Sequence, residues 1–481
     1  MKKINGNNTS NKLTHDNINL LLLKMSIPAM IAMLATALFN LVDTIFLGKY
    51  VGKTGIIACT VVLPLNIISF SFAIMNAVGA SSIFSRAVGK KDYHQANLVT
   101  GNAFSCCLIM GLVLTAIGYI FADPLLYAMG ATKAVINESK TYFYWMLPGT
   151  LIFPFCILGN NILRAEGNTK ESMLGMVAGV VGNIFLDWLF IVIFKWGIAG
   201  AAIATTLSKV ITLGYQLYYY KSRQTIINLD FSTWILNKKI VKQIIALGAS
   251  VFFMNIASSF NQSIINNSLR FYTNEDNIAV FGIISKAFLF AVLPIIGLAQ
   301  GLQPIIGVNY GAKEYRRILI SIRDSIIWGI VIGFTALLIT TFFAKPFTLL
   351  MLKRDNMYLL NGCIIGMKIL VIGVPFAALH IILTTVYQAL GKAKPALYFS
   401  IFRQILLFLT FVLLFPYLIK KLNFDIPIEY SVWFSIALSD IVAACVAVFF
   451  FIKIKININN KEATKFLNYH DNTINNFDNI A

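Results

Sequence analysis

The sequence predicts an all-α polytopic membrane protein in which twelve transmembrane helices form two parallel six-helix bundles around a central cleft. Three observations lead to this fold class. Hydrophobic residues make up 58% of the 481 residues and charged residues 12%, about half the charged fraction of soluble domains. Twelve apolar runs are long enough to span a bilayer, and the second six repeat the first six. A soluble enzyme is excluded, because this composition cannot cover a surface that faces water.

The twelve runs divide into two sets of six, since a spanning helix needs about 20 apolar residues. They lie at 20–47, 56–84, 96–121, 136–163, 172–194, 198–220, 241–270, 278–306, 320–348, 361–390, 395–419 and 431–453. The longest polar stretch between runs separates the halves. The predicted organisation is therefore an N-terminal tail, an N-lobe, an inter-lobe linker, a C-lobe and a C-terminal tail, at 1–19, 20–220, 221–240, 241–453 and 454–481.

The positive charge is read as a topology signal. The net charge is +19, but the basic residues lie in short loops and form no patch interleaved with aromatic residues, so we expect no nucleic-acid partner. With the N-terminus placed inside, 24 Lys and Arg fall in cytoplasmic segments and 11 in external ones. This bias predicts that both termini are cytoplasmic. The polar N-terminus has no signal-peptide pattern, so we expect a multi-pass protein of the cell membrane.

The two halves align with a shift of 222 residues. The loop Gly89-Lys90-Lys91-Asp92-Tyr93 matches Gly311-Ala312-Lys313-Glu314-Tyr315, and with a shift of 224 Ala165-Glu166-Gly167 matches Ala389-Leu390-Gly391. Each repeat has six helices, an even number, so both copies begin on the same side of the membrane and have the same orientation. Such a parallel repeat is typical of secondary transporters, in which one bundle rocks against the other to give alternating access.

The motifs of nucleotide-driven and enzymatic chemistry are missing. The nearest phosphate-loop pattern, Gly48 to Thr54, has three residues between its glycines where a phosphate loop needs four. No paired-histidine motif occurs, and the six cysteines show no metal-ligand spacing. We therefore expect no cofactor, and an ion gradient, of H⁺ or Na⁺, as the energy source.

Two acidic residues inside the predicted spans are the strongest functional candidates. A carboxylate in hydrocarbon is costly unless it is protonated, paired or hydrated, and Asp43 and Asp187 both lie in the outer half of their spans. Asn183 precedes Asp187 by four residues, so both share a helix face. Asp440 is a third buried acid, on the last span, and the sequence names no partner for it.

Thr205 lies at the same depth, about 10 Å below the outer end of the sixth span, and Ala201 precedes it by one turn. Carboxylate, amide, hydroxyl and carbonyl oxygens suit a small cation such as Na⁺, and the same acids could instead carry protons. The corresponding second-half positions are Ile265 and Phe411. The ion chemistry is therefore predicted in the first bundle alone.

The second bundle supplies candidates for the substrate cleft. Four basic residues, Lys209, Lys286, Lys368 and Arg403, fall within spans, and they can snorkel or pair with carbonyls. Lys286 and Arg403 are candidates for shaping the C-lobe side of the cleft. Met254 and Phe260 are apolar candidates that would suit an organic cation.

These residues resemble those of the multidrug and toxic compound extrusion (MATE) transporters over nearly the whole chain. The segments that carry the resemblance are Ser26-Ile27-Pro28, Val42-Asp43-Thr44-Ile45-Phe46-Leu47-Gly48, Arg164-Ala165-Glu166-Gly167-Asn168, Asn183-Ile184-Phe185-Leu186-Asp187, Gly301-Leu302-Gln303-Pro304 and Asn309-Tyr310-Gly311-Ala312. The resemblance is greatest to the bacterial and archaeal branch with its acids in the first bundle.

The resemblance implies a cation antiporter that exports amphipathic, often cationic, drugs. It implies an ion site at Asp43, Asn183, Asp187 and Thr205, with the backbone carbonyl of Ala201. Many relatives have proline after the fifth-helix aspartate, where this chain has Trp188, so a kink could be lost there.

Three alternatives stay open at this stage. A flippase for lipid-linked sugars would need a cationic cleft, for which Lys286 and Arg403 are available. A membrane-embedded enzyme would need a nucleophile–base pair that the sequence does not offer. A channel is disfavoured because the two halves are related by a repeat but only the first half has the buried carboxylates, which favours alternating access. The expected partners are small-molecule drugs or organic cations and membrane lipid, and the expected state is a monomer.

Overall fold

A computed structural model describes residues 12–222, 225–227, 231–273, 275–351, 357–422 and 427–478. Its long helices are α1 (Ile18–Val51), α2 (Lys53–Gly89), α3 (Tyr93–Ile120), α4 (Ile136–Ala165), α5 (Thr169–Ile193), α6 (Gly197–Lys221), α7 (Lys238–Tyr272), α8 (Glu275–Gly311), α9 (Tyr315–Met351), α10 (Met357–Val371), α11 (Val374–Ala389), α12 (Ala393–Lys421) and α13 (Ile428–Asp478). A short helix, Ala122–Ala128, and a 3₁₀ turn, Phe231–Trp234, lie between them.

Within these residues eleven helices are long and apolar enough to cross a membrane, and α10 with α11 forms a twelfth, broken span. The prediction of twelve spans is confirmed, but the span predicted as continuous over 361–390 bends by 44°. The break has a local cause, because Pro375 lies in the first turn of α11 and has no N–H to continue the ladder.

The repeat predicted from the sequence extends to backbone conformation. Lys91 and Lys313, 222 residues apart, both have φ of 60°, and Gly167 and Gly391, 224 residues apart, also have positive φ. Positive φ is uncommon for lysine, so its recurrence at matched positions is a strong sign of a shared loop design.

The two lobes share one apolar core at one end of the molecule and have separate cores at the other. The shared cluster joins Leu22 and Phe84 of the N-lobe to Leu302 and Val386 of the C-lobe. A second cluster contains only N-lobe residues, between 47 and 202, and a third only C-lobe residues, between 265 and 436.

Glycines allow the lobes to meet closely at the shared end. A side-chain carbon on Gly79 would lie 2.0 Å from the carbonyl oxygen of Ile244, and one on Gly248 would lie 1.9 Å from that of Met75. Ser82 Oγ also donates to the carbonyl oxygen of Gln388 at 2.5 Å. The shared end carries the lysine-containing loops at 90–92 and 312–314, which the sequence analysis predicts to be cytoplasmic.

The predicted tails and linker are partly built into this closed end. Residues 1–11, 223–224, 228–230 and 479–481 lie outside the described part of the chain. Leu13, predicted in the polar tail, is buried, and its carbonyl oxygen accepts from Asn309 Nδ2 at 3.0 Å. The last helix continues past the predicted span end at 453 to Asp478.

Candidate functional site

Two antiparallel helices of the N-lobe bring the predicted ion ligands together. The buried face of α5 repeats every three or four residues and includes Gly179, Asn183 and Asp187. A carbon on Gly179 would lie 2.1 Å from Thr212 Oγ1 of α6, so the helices approach closely along this face. Since they run antiparallel, that contact sets Asp187 level with Thr205.

The third helix of the site is α1, which packs against α5. It brings Asp43 near enough to Asp187 for the two carboxylates to interact electrostatically. Asp187 and Ala201 are fully buried, Asn183 and Thr205 are nearly so, and Asp43 is partly buried. The structure therefore places all five predicted ion-site residues in one part of the N-lobe.

Six side-chain polar atoms of this site have no hydrogen-bond partner in the part of the protein that the structure describes. Both carboxylate oxygens of Asp187, both side-chain polar atoms of Asn183, Asp43 Oδ1 and Thr205 Oγ1 are buried and without a hydrogen bond. A buried polar atom left unpaired costs about 1–3 kcal/mol, and a charged group costs more. Such a cluster fits a site that binds a proton or a small cation, because the donor set is rich in hard oxygen ligands.

Two residues that sequence reasoning missed adjoin the site. Tyr142 of α4 interacts electrostatically with both Asp43 and Asp187, and its hydroxyl accepts from Cys59 Sγ of α2 at 3.6 Å. The signal was available, because Tyr142 lies six residues from the outer end of α4, or about 9 Å of helix rise. Thr205 is predicted from its distance to the end of its span, and the same criterion would also have selected Tyr142.

Helix geometry changes beside the acids of the N-lobe. A π-helical segment, Leu47–Val51, follows Asp43 by one turn, and another, Trp188–Ile193, begins directly after Asp187. π-Bulges occur often at functional sites. We expected that the lack of a proline after Asp187 could remove a kink at this point of the helix. The structure has a π-helical segment at this point instead, and it begins at Trp188.

In the C-lobe the structure gives Arg403, a cleft candidate, a partner that the sequence does not identify. Its Nε and Nη2 donate to Asp440 Oδ1 at 2.8 and 2.5 Å, and Nη1 donates to Gln404 Oε1. His380 Nε2 lies 3.3 Å from the same carboxylate oxygen. Arg403 therefore neutralises the buried Asp440 and offers the cleft no free charge. The sequence could not show this, because the three residues lie on different helices.

Of the other C-lobe candidates, Met254 lies near the middle of α7, and Phe260 and Lys286 lie in the halves of α7 and α8 that are farther from the shared core. Phe252, at the edge of the inter-lobe contact, packs against Phe72 with the ring centroids 4.9 Å apart and the rings tilted by 51°. Met254 and Phe260 follow Phe252 along α7. Phe260 and Lys286 are exposed, and Met254 is partly buried. These positions lie beyond the shared core, as a cleft wall requires, and are separate from the ion-site cluster.

Two six-helix lobes, closed at one end, with unpaired carboxylates in one lobe, define a multi-pass membrane transporter. A family model described as MatE matches residues 28–189 and 250–413, one match in each half of the repeat. The chain belongs to the MATE family. Its members are transporters, so the prediction of a transporter and not an enzyme is confirmed.

Relatives and solved structures agree with this assignment. The multidrug export protein MepA of Staphylococcus aureus strain MRSA252 is 25% identical over 387 residues, 80% of this chain and 85% of that protein. A solved outward-facing conformation of a multidrug resistance MATE family transporter of the MOP superfamily has a TM-score of 0.87 at 24% identity, covering 94% of this chain and 98% of that one. A MOP superfamily transporter from Pyrococcus furiosus has a TM-score of 0.86 at 25% identity, with the same coverage.

Proposed function

We propose that the protein exports amphipathic, often cationic, drugs from the cell in exchange for H⁺ or Na⁺, by alternating access. In this proposal it is a monomer in the cell membrane with both termini in the cytoplasm. The coupling ion enters the N-lobe from outside and neutralises or bridges Asp43 and Asp187. The substrate and the ion then need only favour different orientations of the two lobes.

The observation that carries the proposal is the cluster of buried, unpartnered atoms on Asp43, Asn183, Asp187 and Thr205. Such a cluster is costly unless the acids are protonated or bind a cation, and uptake of either one is what ion coupling requires. The multidrug export protein MepA, to which the chain is similar, supports drugs as the substrate class.

Helix α1 provides the link between the ion site and the lobe interface. Its outer half holds Asp43 beside α5, and its inner half packs against α8 of the other lobe, where Ser26 Oγ donates to the Leu298 carbonyl oxygen at 3.4 Å. Pro28 lies inside this helix, two residues after Ser26, and has no N–H for the backbone ladder. A change in the charge of the site therefore acts on a helix that both lobes hold and that can bend.

The flippase alternative is weakened by the same structure. A pyrophosphate-linked substrate calls for free cations in the cleft, and the Arg403 guanidinium is already paired with Asp440. Lys286 is then the remaining basic candidate from the sequence, and one lysine is a poor match for a doubly charged phosphate group.

Ethidium accumulation in a drug-sensitive bacterium tests the proposed function. Cells that express the wild type should accumulate less dye than cells with an empty vector, and an uncoupler should abolish the difference. Asp187→Asn should lose export, whereas the exposed Asp276→Asn, the same chemical change in the C-lobe, should retain it. Equal export by Asp187→Asn and the wild type would refute the proposal.

The coupling ion is determined by reconstitution. Purified protein in liposomes should drive dye uptake or release when a pH gradient or a sodium gradient is imposed separately. A response to one gradient alone identifies the ion, and a response to neither contradicts antiport.

A further inference from the structure

A small polar chamber lies between the two lobes at the shared end, apart from the ion site. Helices α2 and α4 of the N-lobe and α8 of the C-lobe form its walls, and its polar lining residues are Ser81, Ser85, Asn161, Arg164, Gln300 and Gln303. A hydrogen bond joins the two sides, from Gln303 Nε2 of α8 to Ser81 Oγ of α2 at 3.2 Å. In this closed state the chamber is too narrow to hold a water molecule. Its side chains are therefore largely shielded from water while the lobes meet at this end.

Arg164 brings a positive charge into this chamber, and the described residues compensate for that charge poorly. The residue is 5% exposed. A guanidinium has five N–H groups, and in the part of the chain that the structure describes Arg164 makes one hydrogen bond, from Nη1 to Ser172 Oγ at 3.2 Å. No ion pair among the described residues includes it. Burial of a charge without a partner is strongly unfavourable, so Arg164 has an unfilled need for an anion.

The acids of the N-lobe nearest in sequence do not supply that anion. Glu166 accepts hydrogen bonds from the inter-lobe linker, and Glu171 accepts from the Tyr215 hydroxyl at 2.5 Å. Asp187 of the ion site is at the far end of its α-helical segment, about 27 Å along α5 from the first residue of that helix. The described part of the chain therefore leaves the Arg164 guanidinium available to an acidic group of a ligand.

A second guanidinium lies against the same inter-lobe boundary. Arg86 is in the last turn of α2, and a side-chain carbon on Gly391 of the C-lobe would collide with its Nη1. No ion pair in the described ranges includes Arg86. When the lobes part at this end, as the proposed function requires, Arg86 and Arg164 stay on the N-lobe wall and face the opening. Apolar side chains of the shared core, such as Phe84, are uncovered beside them. The opened wall thus combines positive charge with apolar surface.

We propose that Arg164 recognises a carboxylate group on amphipathic organic ligands that enter between the lobes from this end. A guanidinium pairs with a carboxylate through two parallel hydrogen bonds, and the apolar part of the wall accommodates the rest of the ligand. Closure of the lobes returns Arg164 to a chamber with no room for the ligand, so the carboxylate leaves its partner before this end closes. The inference rests on the proposed function, and it extends the substrate class from cationic drugs to ligands that also carry an acidic group.

The test compares two dyes that differ in a single group: a cationic rhodamine methyl ester and the same rhodamine with the free carboxylic acid. Fluorescence anisotropy measures their affinities for the purified full-length protein in detergent. Arg164→Gln should weaken binding of the acid by about 10-fold to 100-fold, the usual effect of losing a hydrogen bond to a charged group, and should change binding of the ester by less than about threefold. Arg164→Lys keeps the charge and should retain most of the acid-to-ester affinity ratio of the wild type.

Two controls separate carboxylate recognition from effects on folding, net charge or access. Binding of the ester shows that each variant is folded, and Arg323→Gln, which removes an exposed arginine of α9, should leave both affinities unchanged. All measurements are repeated in the Gly248→Ala background, in which the added carbon would overlap the Met75 carbonyl oxygen and so hold the lobes apart at this end. The Arg164 site is then accessible whichever way the wild type faces.

An acid-to-ester affinity ratio that Arg164→Gln leaves unchanged in both backgrounds would overturn the inference, and so would failure of the acid to bind in both. Phosphatidylglycerol added to the detergent tests a lipid phosphate as the natural anion. Competition by this lipid together with no preference for the acid dye would assign Arg164 to lipid and would equally overturn the inference. The dyes bind without an ion gradient, so this result is judged independently of ethidium export.

Discussion

Asp187 and Asp440 are both fully buried carboxylates on membrane helices, yet their surroundings differ. Asp440 accepts two hydrogen bonds from Arg403, and its other oxygen lies beside the helix break at Gly373, where an added carbon would be 3.2 Å away. Neither oxygen of Asp187 has a hydrogen-bond partner among the described residues. At the scale of the residue, Asp440 is paired with a cation and Asp187 is not, and this difference supports the proposal that Asp187 belongs to the ion site.

Arg403→Gln should strongly destabilise the C-lobe. The substitution leaves the Asp440 carboxylate buried without a cation, and breaking a buried ion pair from one side typically costs about 3–5 kcal/mol. The double variant Arg403→Gln/Asp440→Asn removes the stranded charge and should recover most of the loss. Melting temperatures of the purified proteins measure both effects, and a double variant less stable than Arg403→Gln would contradict the pairing.

The sequence could identify Asp43 and Asp187 because a carboxylate in an apolar run is unusual in itself. It could not identify the partner of Asp440, because Arg403 reaches it from a π-helical segment, Phe402–Leu407, that redirects the side chain.

At the scale of the secondary-structure elements, the turn between α4 and α5 makes hydrogen bonds to the linker that connects the two lobes. Glu166 is fully buried there, and its Oε1 accepts from Thr225 Oγ1 at 2.5 Å and from the backbone N–H groups of Ile226 and Ile227 at 3.1 and 3.3 Å. The carboxylate thus supplies the hydrogen bonds that a buried, irregular backbone otherwise lacks. The segment Arg164-Ala165-Glu166-Gly167-Asn168, which the sequence offers only as a family likeness, has this physical role.

The stability that Glu166 contributes should depend on pH. Burial raises its pKa from the ordinary value of 4.5 to about 7, although hydrogen bonds from Thr225, Asn168 and the linker backbone oppose the rise. The folded state then holds a proton that the unfolded state releases, so this contribution falls as pH rises from about 4.5 to 7. Glu166→Gln does not titrate at this position.

The melting temperature of the wild type minus that of Glu166→Gln should therefore decrease between pH 5 and pH 8. Other titrating groups cancel in this difference. A constant difference across the range would show that Glu166 is ionised throughout, and Glu166→Ala, which loses the hydrogen bonds to the linker, should be the less stable variant at both pH values.

For the whole molecule, the number of spans and the parallel repeat follow from hydrophobic runs and from loop motifs, both of which are local in sequence. The break between α10 and α11 and the packing of the linker on α3 depend on distant contacts, such as the hydrogen bond from the Asn237 N–H to Asn102 Oδ1 at 2.6 Å. If the lobes alternate in access as proposed, the sequence must permit opening on either side, so local sequence patterns cannot predict which side is closed in one structure.

The closed end of the molecule depends on glycines at the lobe interface, and Gly248→Ala should prevent its closure. The added carbon would lie 1.9 Å from the carbonyl oxygen of Met75, and a backbone atom cannot move aside as a flexible side chain can. Gly282→Ala is the matched control on α8, because a carbon there has no neighbour within 4 Å.

Spin labels at the exposed Tyr50 and Phe271, at the outer ends of α1 and α7, report the opening of the opposite side. Gly248→Ala should shorten the distance between the labels and abolish export, since lobes that cannot meet at one end cannot open at the other. If the label distance matched that of Gly282→Ala, the glycine contact would not be what holds this state closed.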